Sequence, residues 1–115
     1  MAENFLYLTT TGRTTGLPRE IEIWYVERAG RYYMVSQGRD RSHWVRNIQR
    51  HDRVSFSIGT RDEPAAVREP TAAKGRPLHD DEPAALVAAV RELMDEKYDW
   101  SDGLVVELIP DDLTS

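Results

Sequence analysis

Period-two alternation between short glycine-bounded turns is the strongest constraint on this chain. Ile21, Ile23 and Tyr25 alternate with Glu20, Glu22 and Trp24, while Val54, Phe56 and Ile58 alternate with Ser55 and Ser57. That spacing puts apolar side chains on one face of a strand and polar ones on the other. Asn4–Thr10, Tyr32–Ser36 and Leu104–Ile109 are also strand-like, being rich in aromatic, aliphatic and β-branched residues. A further strand is expected within 65–74, where Pro70 is tolerated only at an edge or a bulge. Ala29-Gly30 joins 19–26 to 32–36, so residues 19–36 read as one β-hairpin.

Two helices interrupt the strands. Trp44, Val45 and Ile48 form the apolar face of a short helix ending near Arg50, with Asp40 as its expected cap. Leu86, Val87, Val90, Leu93 and Met94 line a longer helix that ends near Tyr98. Asp80 or Asp81 is its expected cap, with Pro83 in its first turn. Hairpins and two helices in this order predict an α+β fold, mainly an antiparallel β-barrel with helices packed on it. The 115 residues suffice for a single domain, 1–115, with its own core.

Absences narrow the chemistry. Without cysteine there is no disulfide, thiolate metal site or cysteine nucleophile. His43, His51 and His79 lack metal-ligand spacing. There is no glycine-rich dinucleotide fingerprint and no phosphate loop. No apolar run reaches the roughly 20 residues of a membrane span. The start, Met1-Ala2-Glu3-Asn4, lacks a signal peptide's order, so a cytoplasmic protein is expected.

Charge is divided along the chain. Residues 1–61 carry ten arginines against six acids, and residues 62–115 carry five bases against fourteen acids. The basic half suits an anionic ligand. Within it, Gly12-Arg13-Thr14-Thr15-Gly16-Leu17-Pro18-Arg19 gathers turn amides, hydroxyls and guanidinium groups. Those are the parts of an anion site, and equally of a solvated hairpin turn. Ser36-Gln37-Gly38-Arg39-Asp40-Arg41 adds a glycine break before a helix N-terminus, which also favours an anion. No recognition helix or RNA-binding signature accompanies the arginines, so no nucleic-acid partner is expected.

The run Leu8–Arg19, the hairpin end Tyr33-Met34-Val35-Ser36 and the helix Trp44-Val45-Arg46-Asn47-Ile48 resemble a known family. It is the deazaflavin (coenzyme F420)-dependent nitroreductase and quinone reductase family of the flavin-binding split-barrel superfamily. The resemblance implies a six-stranded split barrel, a homodimer, and F420 or alternatively FMN in a groove at the barrel's side. By the same resemblance, Arg13, Thr14, Thr15 and Arg19 would face the coenzyme's phosphate. Ser36, Gln37, Gly38 and Arg39 would lie near the ring and ribityl chain, with Trp44 and Asn47 supporting it. Many members carry lysine where this chain has Thr14.

The function implied is hydride transfer from reduced F420 to a small planar acceptor such as a quinone, a nitroaromatic or an activated alkene. Ser36 or a backbone amide would steady the charge that develops on the acceptor. No acid or base is assigned. The alternatives are an FMN-dependent oxidoreductase on the same barrel and a non-catalytic protein that carries a flavin-like ligand.

Overall fold

The computed structural model describes residues 4–62 and 69–113. Seven antiparallel strands form one curled sheet: β1 (Phe5–Thr11), β2 (Pro18–Ile23), β3 (Val26–Arg28), β4 (Arg31–Ser36), β5 (Arg53–Gly59), β6 (Thr71–Pro77) and β7 (Leu104–Pro110). Their spatial order is β2-β1-β5-β6-β7-β4-β3. The helices are α1 (His43–Arg50) and α2 (Ala84–Tyr98). The expected α+β split barrel is present, with one strand more than the six expected. The strand expected within 65–74 starts only at Thr71, after Pro70, and residues 65–68 lie outside the described residues.

The extra strand comes from a break. Residues 19–26 do not form one arm of a hairpin. β2 pairs with β1, with Thr11 opposite Pro18, and β3 pairs with β4, with Val26 opposite Tyr33. The chain therefore passes from one end of the sheet order to the other at Trp24-Tyr25, which curls the sheet. At the break, the backbone amide of Tyr25 donates to the Tyr98 hydroxyl at 3.1 Å, and that hydroxyl donates to the Tyr25 carbonyl at 3.0 Å. A side chain from α2 thus replaces the missing strand partner.

Both helix starts differ from expectation. Asp40 lies in a 3-10 turn (Arg39–Arg41), and α1 begins behind Ser42, with no side-chain cap bond. Likewise Asp80 and Asp81 lie in a separate 3-10 turn with positive φ, and α2 begins at Ala84 behind Pro83. Asp81 instead accepts from Arg91 of α2 at 2.9 Å.

Two cores follow from the alternation. Leu6, Leu8, Met34, Phe56, Val106 and Leu108 fill the barrel, closed by Val45 and Ile48 of α1. Val87, Val90 and Met94 of α2 pack on the outer face against Val26, Tyr33, Val35 and Val105. Each such side chain contributes about 1.5–3 kcal/mol on burial.

Glu107 shares that outer face and is fully buried. It accepts from the Tyr33 hydroxyl at 2.8 Å, Arg31 at 3.3 Å and Arg76 at 2.8 Å. Burial, then the hydrogen bond to Glu107, raise the Tyr33 hydroxyl from its usual 10 to about 12. A raised pKa stabilises the fold fully below pH 10 and is lost as the pH climbs through about 12. Denaturant titrations across that window should therefore give falling stability, with a shallower fall for Tyr33→Phe. Equal slopes would contradict the Tyr33–Glu107 coupling.

Candidate functional site

β1 ends in the expected turn. The Gly12 amide donates to the Leu17 carbonyl at 2.8 Å, and the Gly16 amide to the Gly12 carbonyl at 2.8 Å. Gly16 has φ +72°, a conformation that favours glycine. The turn leans on α1 through one buried side chain. Asn47 Oδ1 accepts from the Arg13 amide at 3.1 Å and from Arg13 Nη1 at 3.0 Å, while its Nδ2 donates to Thr10 Oγ1 at 3.1 Å. A second contact joins Arg13 Nη2 and His43 Nδ1 at 3.2 Å. The guanidinium is held against the first turns of α1.

A cleft of about 430 Å³ opens beside this contact. Arg13, Thr14, Thr15, Arg19, Glu20 and His43 supply most of its polar wall, and Trp44 and Asn47 also line it. Trp44 also lines a larger cleft of about 740 Å³. Trp24, Trp44, Trp100 and Phe5 line it, with Ser36, Gln37, Gly38 and Ser42 along one edge and Glu22 and Arg61 among its polar residues. Both volumes fall in the ~300–1,000 Å³ of small-molecule sites. Trp44 belongs to both, so the two clefts adjoin at that residue.

The aromatic wall is braced. Trp24 stacks on Tyr98 with centroids 4.4 Å apart and planes 5° apart, and meets Trp100 edge-on at 6.4 Å. Trp100 sits in the loop between α2 and β7, which Arg91 ties down. One Arg91 guanidinium donates to the carbonyls of Ser101 and Gly103 and to Asp81.

Nine of the ten residues expected from the sequence line one or both clefts. Arg13, Thr14, Thr15, Arg19, Trp44 and Asn47 line the first; Ser36, Gln37, Gly38 and again Trp44 line the second. Arg39 lines neither, and its carbonyl accepts from Ser36 Oγ at 2.8 Å. That bond matters chemically. Ser36 is 2% exposed and its single hydrogen goes to Arg39, so Ser42 is the donor in the 2.6 Å contact between the two hydroxyls. Ser36 therefore has no hydrogen to offer an acceptor's oxygen. The polar atoms of Asn47 are likewise engaged within the protein.

Sequence reasoning missed His43, Trp24, Trp100, Glu22 and Arg61 as lining residues. One signal was available. Trp24 stands in the polar phase of the β2 alternation, where a large aromatic is out of place. It is 38% exposed.

The model of the F420H(2)-dependent quinone reductase family matches residues 1–103. The chain belongs to that family. The family's coenzyme is F420, and its members are F420-dependent reductases. No curated protein matches the sequence. Among solved structures, the heme storage protein HutZ of Vibrio cholerae has a TM-score of 0.72 at 18% identity, covering 93% of this chain and 81% of its own. A conserved hypothetical protein of Mycobacterium tuberculosis has a TM-score of 0.69 at 20% identity, covering 95% and 74%. A protein named F420 reductase has a TM-score of 0.60 at 17% identity, covering 92% and 85%. At these identities the likeness establishes the split-barrel fold.

The residues present suit the family's coenzyme. F420 joins a flat ring through a ribityl chain to a phosphate. A guanidinium- and hydroxyl-lined cleft adjoining an aromatic one offers donors for the anion and planar faces for the ring. Among the described residues no group of acids or histidines could hold a metal ion, and no helix is long and apolar enough to cross a membrane.

Proposed function

We propose that the protein reduces a small planar acceptor with F420H2, and that quinones suit it better than nitroaromatics or activated alkenes. The observation carrying this reading is the pair of clefts meeting at Trp44, one lined by arginines and threonines and one by tryptophans. Bound F420H2 supplies the hydride. The chain supplies binding, orientation and electrostatics.

Arg13 and Arg19, with the Thr14 and Thr15 hydroxyls, hold the phosphate. Trp44 separates the phosphate cleft from the ring cleft. Trp24, stacked on Tyr98, and Trp100, edge-on to it in the loop that Arg91 ties down, form a braced aromatic wall for the acceptor. A wall already in place brings the acceptor to the reactive face with little ordering left to do. With the Ser36 hydrogen committed to Arg39, charge on the acceptor's oxygen falls to backbone amides of the Gln37–Gly38 edge. A quinone suits this arrangement because the hydride leaves it as the hydroquinone monoanion, which needs a single proton and can take it from water, so no acid is required of the protein. A homodimer is part of the same proposal, by the family resemblance alone.

Arg13→Ala tests the phosphate role. Loss of one charge-assisted contact of about 1.5–3 kcal/mol should weaken F420 binding about 10- to 100-fold. The denaturation midpoint should change little, since the backbone amide of residue 13 keeps its bond to Asn47 in the variant. Unchanged affinity would remove the turn from the coenzyme site.

A further inference from the structure

His43 stands where a ligand's charge would reach it. Its ring is exposed, lines the arginine cleft, and has Nδ1 3.2 Å from Arg13 Nη2. A guanidinium only donates hydrogen bonds, so Nδ1 accepts. The ring hydrogen is then on Nε2, and the imidazole is neutral in this contact. Asn47 Oδ1 holds the other side of the guanidinium at 3.0 Å, which keeps Arg13 beside the ring.

We propose that His43 takes up a proton when a phosphate enters the cleft. The Arg13–His43 pair changes from donor and acceptor into two cations that hold one anion. This rests on the phosphate role of the cleft proposed above. The charged groups that line the cleft with the ring are Arg13 from the turn after β1 and Arg19 and Glu20 from β2. Arg46 lies three residues along on its own helix.

Arginine neighbours oppose the imidazolium and Glu20 favours it, with or without ligand. What changes on binding is the anion. It favours the charged ring and draws the Arg13 hydrogen away from Nδ1. The proton comes from solvent, and no other side chain of the cleft need change state. Because the bound form holds more protons than the free form, affinity rises as the pH falls through the range where imidazole titrates.

The test is calorimetric titration of the full chain with oxidised F420, in two buffers of different protonation heat. The apparent heat difference counts protons taken up on binding. The ligand's own ionisation is common to all variants, so the difference between variants is the readout. Wild type should take up a fraction of a proton more than His43→Gln at pH 6.5. Its affinity should gain on that variant as pH is lowered from 8 to 6, by up to about tenfold per pH unit, the limit for one linked proton. His43→Lys, charged throughout, should bind well at pH 8 and lose the linkage. Equal proton uptake by wild type and His43→Gln would overturn the proposal. If Arg13→Ala meanwhile still weakens binding, the phosphate role survives and only the His43 linkage fails. If Arg13→Ala binds as wild type does, the phosphate role itself fails.

Discussion

Gly103→Ala is expected to destabilise the protein by about 3–5 kcal/mol. Gly103 immediately precedes β7, with φ +158°. A Cβ there would collide with the carbonyl oxygen and carbon of Ser36 and crowd the Val35 side chain. The obstacle is mostly backbone in a paired strand, with Ser36 opposite Leu104, so it cannot swing aside as a side-chain tip can. Relief requires β4 and β7 to part at the end that leads into Gln37 and Gly38. The variant should therefore also lose definition in the tryptophan-lined cleft. Chemical denaturation measures the first effect and near-ultraviolet circular dichroism the second. A loss below about 1 kcal/mol would mean that the strands separate at little cost.

Asn47→Ala should combine a stability loss with a binding loss. The side chain is 4% exposed and serves three partners at once: Thr10, the Arg13 amide and the Arg13 guanidinium. Removing it strands a buried hydroxyl and a backbone amide, at about 1–3 kcal/mol for each group left dry. It also frees Arg13 from α1, so F420 affinity should fall although Asn47 spends its own bonds on the protein. Asn47→Asp separates the two effects. An aspartate retains the acceptor for Arg13 and can accept from the Thr10 hydroxyl where the amide donated to it, so stability should recover in part. Its negative charge beside the guanidinium should keep F420 binding weak. Parallel recovery of stability and affinity in Asn47→Asp would contradict an anion site there.

The sequence made some of this legible and not the rest, for physical reasons. β1, β5 and the Gly12–Gly16 turn are set by local alternation and glycine placement, and they stand where the pattern put them. The break at Trp24-Tyr25 is not local. Alternation runs straight through it, and its stabilising partner, the Tyr98 hydroxyl, lies 73 residues away. Helix starts were misplaced for a related reason. Asp40 and Asp81 are good capping types, but short 3-10 turns precede both helices and Asp81 is engaged by Arg91.

The arginine cleft was legible because most of its polar residues are contiguous on one turn. The tryptophan cleft was not. Its walls come from the ends of β2 and α1 and from the loop before β7, and long-range contacts such as the Tyr98 stack, the Trp24–Trp100 contact and the Arg91 tie brace them.

All three tryptophans of the chain line the second cleft, so its occupancy can be read from intrinsic fluorescence. The most direct measurement is a fluorescence titration of the apo-protein with oxidised F420 and, in parallel, with FMN. The proposed site predicts saturable quenching by F420 at lower concentration than by FMN. Preference for FMN, or no saturable quenching by either, would contradict it.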